Sequence, residues 1–318
     1  MIPRATLAWG AGLLLLAALP QLAGSDYLIN LASQLLIAAL FAASLNLVLG
    51  YGGLLSFGHT AFFGGAAYVA ALATVRLGWP APAAALAGLL AAVVLAGGVG
   101  AIALRANGIG LAMITLALGQ VCWGVAFRWV AVTEGENGIA GTQRPQLAGW
   151  SLDSPRAYYW LALAVTVFLL WLLKRLLASP YGASLRGTRD QARRMSALGY
   201  DVWLIRWLAF LYSGLMAGVA GLLFLYYHKF VSPHVLSLAE SAEVLLMVVT
   251  GGAGTFWGPL VGAVIVMLFK NVASSYIESW LMLLGVLFVL IVLFMPDGVV
   301  PGLQRLLSRA RAAARRSP

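Results

Sequence analysis

Charged side chains are scarce in this chain of 318 residues. Asp, Glu, Lys and Arg make up 9% of it, against about 25% in an average soluble domain. Apolar residues make up 62%, and the mean hydropathy is +0.93. A water-soluble protein of this size cannot bury so many apolar side chains. Soluble, disordered and collagen-like classes are therefore excluded, and lipid must be the main solvent.

Cysteine and lysine are also rare, and each shortage excludes a kind of site. The one cysteine, Cys122, lies in an apolar run, which excludes a disulfide framework and a thiolate metal site. None of the three lysines follows a glycine, so the sequence holds no P-loop, and any ATP must be bound by another chain. The sequence has no His-Glu-x-x-His motif and no Gly-x-Ser-x-Gly motif. We therefore expect no catalytic residue, no metal and no cofactor in this chain.

Long apolar runs are what the sequence has in abundance. A helix needs about 20 apolar residues to cross ~30 Å of hydrocarbon. These runs predict an all-α integral membrane protein, a polytopic helix bundle of about ten segments (eight to ten). The predicted segments are 7–23, 27–49, 61–77, 82–104, 109–131, 157–177, 207–227, 241–250, 256–269 and 280–295.

Two of these segments allow more than one interpretation. The segment 241–250 is too short to span as a straight helix, so we predict a half-helix or the first part of a broken span. The segment 7–23 looks like a secretory signal, but its length and the second span directly after it favour an uncleaved first span.

The distribution of Lys and Arg predicts the orientation. With ten segments and the N-terminus inside, the inner side has a net charge of +11 and the outer side −1, which account for the total of +10. Both termini are then cytoplasmic, in one transmembrane domain over 1–318 with a cytoplasmic loop at 178–206 and a basic cytoplasmic tail at 296–318. The largest external loop covers 132–156. The positive charge indicates contact with membrane lipid, and nothing else in the sequence supports binding of nucleic acid.

The middle of each strong apolar span lacks Asp, Glu, Lys and Arg, whereas proton- or sodium-driven carriers usually keep carboxylates or His inside the bundle. Glu243 comes closest, near the outer end of the short segment. We therefore expect the energy for any transport to come from outside the chain.

Two glycine-rich stretches, 50–65 and 250–262, interrupt the apolar runs and share the order Gly-Gly, hydroxyl-Phe, Gly. Each is either the lining of a translocation pathway or a tight turn between packed helices. Uncharged polar residues inside spans fit either a pathway or hydrogen bonds between helices. The pathway candidates are Asn46, Ser56, His59, Thr115, Gln120, Thr250 and Thr255.

The loop 178–206 predicts a basic helix. Pro180 suits a first helical turn, and Gly199 suits a C-terminal stop. Between them, Arg186, Arg189 and Arg193 fall on one face of a regular helix. Such a helix either lies on anionic lipid or docks a cytoplasmic partner.

The same loop resembles the coupling loop of ABC-importer permeases, in the subgroup that serves branched-chain amino acids and related amides, and in the M-type of its two permease subunits. The resemblance rests on strings in the family order: Ser56 to His59, Ser179-Pro180, Gly182, Leu185-Arg186, Arg189-Asp190, Ala197-Leu198-Gly199, Ala209-Phe210, Ala217 to Gly221 and Gly251 to Thr255. One departure is Gln191-Ala192, where many relatives carry an acidic residue.

The resemblance implies a type II-like importer fold in a bacterial plasma (inner) membrane. It implies a heterodimeric pore with a sister permease, two cytoplasmic ATP-binding subunits and a periplasmic solute-binding protein, for which 133–141 is a candidate contact. The ATPase-coupling residues would be Arg186, Arg189, Asp190, Arg193, Ala197 and Gly199. The implied substrates are leucine, isoleucine and valine. Urea, short amides or other small neutral solutes are an alternative, and a stand-alone secondary transporter is a second one.

Overall fold

The computed structural model describes residues 20–21, 25–142, 144, 153–276, 280–295, 297–303 and 305. Almost all of the predicted span at 7–23 and most of the predicted tail at 296–318 lie outside the described residues. The same holds for 145–152 in the predicted external loop.

Helices account for most of the described chain. They are α1 (Asp26–Asn46), α2 (His59–Val75), α3 (Ala81–Ala103), α4 (Ile109–Arg128), α5 (Val130–Thr133), α6 (Pro155–Ala178), α7 (Pro180–Ala197), α8 (Val202–His228), α9 (Leu238–Gly251), α10 (Gly258–Tyr276) and α11 (Trp280–Phe294). A π-helical turn, Leu47–Tyr51, extends α1, and 3-10 turns cover Gly135–Asn137 and Pro233–Leu236. Each predicted apolar segment that falls within the described residues coincides with a helix.

Six of the described helices are long and apolar enough to cross a membrane: α1 with its π turn, α3, α4, α6, α8 and α10. Helix α2 is apolar but shorter, at 17 residues. The predicted all-α, multi-pass membrane fold is therefore confirmed.

Helix α8 packs against α1, α2 and α3, and small residues bring these helices close together. A Cβ atom added at Gly214 would lie 2.2 Å from the Cβ of Ala96, and one added at Gly221 would lie 2.0 Å from the Phe63 carbonyl oxygen. Such close backbone contact is typical of helix packing in membranes, where small residues replace the hydrophobic drive.

Helix α9 is a short half-helix that packs antiparallel to the longer α10. Helix α9 has 14 residues, about 21 Å at 1.5 Å per residue, and ends where Gly252 adopts a φ of +114°. The chain then reverses, and α10 returns alongside α9, with Gly262 so close that its Cβ would lie 1.8 Å from the Met247 carbonyl oxygen. The prediction of a half-helix at 241–250 is confirmed.

The loops divide between the two ends of the bundle as the sequence predicts. At one end, β1 (Ile139–Ala140) pairs antiparallel with β2 (Phe230–Val231), and we call it the β-ribbon end. The Nζ of Lys229 lies 2.9 Å from Asp153 at this end. At the other end, the α7 end, Arg189 in the predicted loop 178–206 donates to the carbonyl oxygen of Gly50, which follows the predicted segment 27–49, at 2.5 Å. The predicted external loops thus contact one another, and so do the predicted internal ones.

Candidate coupling junction and cavity

The two glycine-rich interruptions meet at the α7 end of the bundle. The Asn46 side chain accepts a hydrogen bond from the Gly254 N–H and donates one to the Thr255 carbonyl oxygen, each at 2.9 Å. A Cβ at Gly50 would lie 2.2 Å from the Gly254 nitrogen, so only glycine allows this approach. We call Asn46, Gly50, Gly254 and Thr255 the glycine junction. The similarity between the two stretches therefore corresponds to a contact between them.

Local hydrogen bonds allow the chain to leave the helical path between α1 and α2. The π turn and the residues after it keep backbone bonds, such as Leu54 N–H to the Val48 carbonyl oxygen at 3.0 Å. The Phe57 N–H donates to the Thr115 hydroxyl at 3.1 Å. Irregular backbone at membrane depth is tolerated where its polar groups are satisfied inside the protein, and the bonds of Leu54 and Phe57 satisfy two of them.

Helix α7 reaches the glycine junction through Arg189. One guanidinium nitrogen donates to the Gly50 carbonyl oxygen at 2.5 Å. The aliphatic stem lies on Gly53, whose φ is +66° and whose Cβ would be 2.8 Å from Arg189 Cγ. A side chain from the extramembrane helix therefore contacts the backbone at the point where α1 and the α9–α10 turn meet.

Helix α7 is bent, and the bend changes the predicted arginine face. Gln191 has non-helical angles (φ −148°, ψ 79°), and Met195 folds back so far that a Cβ at Gly187 would lie 2.8 Å from its sulfur. The predicted stripe of arginines is therefore wrong beyond Arg189, because Arg193 follows the bend. The bend falls at Gln191, the position where the sequence departs from the pattern of many relatives.

The ends of α7 follow the sequence prediction. Pro180 is the first residue of the helix, and Gly199, with a φ of +87°, follows its end. The Tyr200 N–H donates to the Met195 carbonyl oxygen at 3.1 Å. This oxygen belongs to the last turn of α7, where carbonyl groups have no hydrogen-bond donor within the helix. Arg186 donates to the Leu177 carbonyl oxygen at 3.1 Å and so closes the end of α6.

The second half of α7 and the residues after it are exposed. Asp190 lies 3.8 Å from the Arg189 Nε in an exposed ion pair, and Arg193, Ala197 and Gly199 are exposed as well. Large apolar side chains share this surface: Leu198 is 67% exposed. Further members are Tyr200, Trp203 and Leu204. We call residues 190–204 the α7 surface, and it combines apolar area with positive charge.

His59, the first residue of α2, and Ser56, three residues before it, are buried. The His59 Nε2 lies 2.9 Å from the Ser213 hydroxyl, which in turn donates to the Ser44 carbonyl oxygen at 2.5 Å. Among the described residues, neither His59 Nδ1 nor the Ser56 hydroxyl has a hydrogen-bond partner. His59 thus connects α2 with α8.

The other pathway candidates have mostly local contacts. Thr250 donates to the Leu246 carbonyl oxygen within α9, and Thr115 donates to the Ala112 carbonyl oxygen within α4. The Thr255 hydroxyl accepts from the Gly258 N–H at the start of α10, and Gln120 is half-buried on α4. The structure brings Asn46 and Thr255 together, and a pathway role for the seven candidates stays a prediction.

A cavity of about 380 Å³ opens at the β-ribbon end, between α1, α2, α8, α9 and α10. Phe41, Phe63 and Phe224 form its aromatic floor, with ring centroids 4.5 and 5.4 Å apart. The His59 ring lies beyond Phe41, at a centroid distance of 6.0 Å. The floor therefore separates the cavity from the buried polar groups at the start of α2.

An ion pair lines this cavity. The Lys270 Nζ lies 2.8 and 3.1 Å from the two carboxylate oxygens of Glu243, whose side chain is 9% exposed. Glu240 lines the cavity one turn before Glu243, and its carboxylate is 3.6 Å from His234.

In the described part of the chain, no group of three His, Cys, Asp or Glu side chains could hold a metal ion.

This ion pair corrects the expectation of spans without ionisable residues. Lys270 lies inside α10, which continues beyond the predicted end of that span at 269 to Tyr276. None of the seven predicted pathway residues appears among the described lining of the cavity. The sequence did contain an indication of these charged cavity residues. Glu240 and Glu243 share one face of a short helix, and Lys270 directly follows an apolar run.

The sequence profile described as "Branched-chain amino acid transport system / permease component" matches residues 27–292. The chain belongs to this family. It is 30% identical over 301 residues to the high-affinity branched-chain amino acid transport system permease protein LivM of Escherichia coli K12, covering 86% of this chain and 70% of that protein. LivM of Salmonella typhimurium LT2 gives 30% over 300 residues with the same coverage.

The chain is less similar in sequence to LivH, a permease protein with a different name, than to LivM. LivH of Escherichia coli K12, also a high-affinity branched-chain amino acid permease protein, is 24% identical over 294 residues, or 82% of this chain and 90% of LivH. No solved structure matches the chain. The predicted family is confirmed, and the chain is a multi-pass membrane permease of this family. The higher identity to LivM than to LivH favours the predicted M-type.

Proposed function

We propose that this permease is the membrane subunit of an ATP-driven ABC importer for leucine, isoleucine and valine. Support for the substrate comes from the family and from LivM and LivH, which are named permease proteins of high-affinity branched-chain amino acid transport systems. The similarity to two different permease types supports a heterodimeric pore, in which a sister permease supplies the other half.

Energy would enter through α7. The sequence holds no P-loop, so this chain binds no ATP of its own by that motif. Two cytoplasmic ATP-binding subunits would dock on the importer, one of them on the α7 surface of this chain. That surface offers apolar area and arginines outside the apolar helices, as a docking site for a partner requires.

The observation that carries this proposal is the hydrogen bond from Arg189 to the Gly50 carbonyl oxygen. When the ATP-binding subunits close, α7 moves, and Arg189 transmits that movement to the glycine junction. Arg186 contacts the end of α6, and Arg206 joins α7 to α8. The spans α1, α6 and α8 therefore respond together when α7 moves. The helices on either side of the glycine junction then change their angle, and access to the pathway switches between the two sides of the membrane.

The β-ribbon end would face the periplasm of a bacterial inner membrane, and both termini would be cytoplasmic. The positive charge near α7 supports this orientation. A periplasmic binding protein would deliver the amino acid at this end, where Glu134 and Glu136 are exposed within the candidate contact 133–141. Binding-protein stimulation that survives deletion of 133–141 would contradict this contact.

The experiment is purification of the intact complex from native membranes through a tag on this chain, followed by uptake measurements in proteoliposomes. The proposal predicts that a second permease, two ATP-binding subunits and, under crosslinking, a soluble binding protein copurify. It predicts uptake of radiolabelled leucine only with internal ATP. Uptake of urea without uptake of leucine would overturn the substrate, and uptake driven by an ion gradient alone would overturn the energy source.

A further inference from the structure

The ion pair Glu243–Lys270 is costly where it lies. Removing two charges from water carries a desolvation penalty that mutual attraction offsets only in part. Ionisable residues within membrane segments are therefore rare and usually mark a substrate or ion pathway. Helices α9 and α10 already pack closely through Gly251 and Gly262, so the ion pair is not needed to bring them together.

The charges that face the cavity are of both signs. Glu240 and Glu243 supply two carboxylates, Lys270 supplies an ammonium, and His228 and His234 supply two imidazoles at the rim. With neutral imidazoles the cavity has one carboxylate more than it has ammonium groups. Such a set attracts a ligand that carries a positive group and a negative group on neighbouring atoms.

Most of the remaining lining is apolar, and Gln34, Asn271 and Ser274 are its uncharged polar members. Ile37 and Ala38 of α1 face Val244 and Met247 of α9 across the cavity, above the aromatic floor. The volume of about 380 Å³ is at the lower end of the range for ligand cavities, ~300 to 1,000 Å³, and suits a small molecule. An aliphatic side chain a few carbons long could be held between these walls.

We propose that this cavity is the site at which the permease binds the zwitterion of an aliphatic α-amino acid. The α-ammonium contacts Glu243 and Glu240, the α-carboxylate contacts Lys270, and the aliphatic side chain lies against Ile37, Ala38 and Met247. This inference rests on the proposed function and assigns the residues that recognise its substrate.

The zwitterion can enter without leaving a buried charge unpaired. Its ammonium takes the place of Lys270 against Glu243, and its carboxylate takes the place of Glu243 against Lys270, so one ion pair becomes two. An amine would compete with Lys270 for Glu243 and bring no carboxylate in exchange, and a carboxylic acid would compete with Glu243 for Lys270 and bring no ammonium. Urea carries no charge and cannot separate the pair. The cavity therefore selects zwitterions over their single-charge analogues.

The test uses the intact importer purified through a tag on this chain, with two readouts: the thermal stability of the complex with added ligand, and ATP-dependent uptake. Leucine should raise the melting temperature, whereas isopentylamine and 4-methylpentanoate should not. Glu243→Gln and Lys270→Gln should each abolish the stabilisation by leucine and lower its uptake about tenfold or more.

The charge swap Glu243→Lys with Lys270→Glu separates recognition from structural support. It keeps an ion pair between α9 and α10, so the complex should keep its thermal stability without ligand. The reversed charges direct the side chain of L-leucine away from the apolar walls, and stabilisation by leucine should stay abolished. Asp153→Asn, in an exposed ion pair at the same end, is the control and should leave binding and uptake unchanged.

The outcomes separate this inference from the proposed function. Leucine uptake by the wild-type importer, with equal uptake by the swap variant, overturns the cavity assignment and leaves the proposed function standing. Stabilisation by leucine that depends on Glu243 and Lys270, without ATP-driven uptake, supports the cavity and overturns the proposed function. Equal stabilisation by isopentylamine overturns the zwitterion as the ligand.

Discussion

The guanidinium of Arg189 lies 2.5 Å from the carbonyl oxygen of Gly50, so a helix outside the apolar spans contacts the backbone between two of them. Asn46, one helical turn before Gly50, bonds to the backbone of Gly254 and Thr255 in the turn between α9 and α10. Under the proposed coupling, movement of α7 reaches this turn through Arg189, Gly50 and Asn46. Hydrogen bonds to a charged donor contribute about 1.5–3 kcal/mol each, enough to bias a two-state element.

Replacement Arg189→Ala should uncouple ATP hydrolysis from uptake. The variant loses the contact with Gly50 but keeps the exposed α7 surface, so the ATP-binding subunits should copurify in normal amounts. Uptake per ATP hydrolysed should fall about tenfold, since the lost bond is of the order of 1.4 kcal/mol or more. Simultaneous measurement of leucine uptake and phosphate release in proteoliposomes checks this.

The matched variant is Arg193→Ala, which removes an exposed arginine beyond the bend at Gln191. It should reduce copurification of the ATP-binding subunits and leave the uptake per ATP unchanged in the complexes that remain. The transmission role of Arg189 is wrong if its alanine variant keeps normal uptake per ATP.

Replacement Gly50→Ala should disrupt the glycine junction. The new Cβ would lie 2.1 Å from the Asn46 Oδ1 and 2.2 Å from the Gly254 nitrogen, and neither the backbone nor this bonded side chain can move away cheaply. We expect loss of the folded protein, or a free energy of unfolding lower by several kcal/mol, of the order seen for overpacked cores. The yield of monodisperse protein in detergent measures this.

Gly98→Ala in α3 is the control for this substitution, because nothing lies within 4 Å of the added Cβ. It should leave the yield unchanged or raise it, since Ala favours a helix over Gly. Equal yields for the two variants would show that the close approach of Gly50 to Gly254 does not exist.

Replacement Asn46→Asp tests the two hydrogen bonds across the junction. The carboxylate can still accept from the Gly254 N–H, but it cannot donate to the Thr255 carbonyl oxygen and would face it as a second acceptor. The buried acceptor is left unsatisfied, which costs about 1–3 kcal/mol. The melting temperature of the purified complex should fall, whereas Asn137→Asp in the exposed external loop should not change it.

Replacement Ala38→Leu should change substrate size selection. The larger side chain fills part of the cavity beside Ile37 and Met247, where the inferred site holds the aliphatic side chain. The KM for leucine should rise about tenfold, while alanine should bind as before, because one or two methylene groups are worth roughly 1–3 kcal/mol in such a pocket. Competition by alanine against radiolabelled leucine measures the change, and an unaltered leucine KM would contradict the assigned wall.

Local sequence signals predicted the elements well. The ends of α7 follow from Pro180 and Gly199, since an N-terminal proline and a C-terminal glycine act within one turn. The apolar runs predicted the spans because the length and composition of one continuous segment decide whether it can cross a membrane. The bend at Gln191 is different, because it depends on Met195 folding back on Gly187, and residue spacing in a regular helix does not contain that contact.

Contacts between distant segments were the part the sequence could not supply. The two glycine-rich stretches look alike, but nothing in either predicts that Asn46 bonds to Gly254, some two hundred residues later. Lys270 falls just outside the predicted segment 256–269, because the apolar run ends at Phe269. Only the antiparallel return of α10 along α9 brings Lys270 to Glu243. The same packing of helices forms the cavity, and none of the pathway candidates is among its described lining residues.

The most direct measurement is accumulation of radiolabelled leucine in proteoliposomes that contain either this chain alone or the intact importer with its ATP-binding subunits. The account predicts that the chain alone never concentrates leucine, under any proton or sodium gradient, and that the intact importer does so only while ATP is hydrolysed. Accumulation by the chain alone, with no nucleotide present, would contradict it.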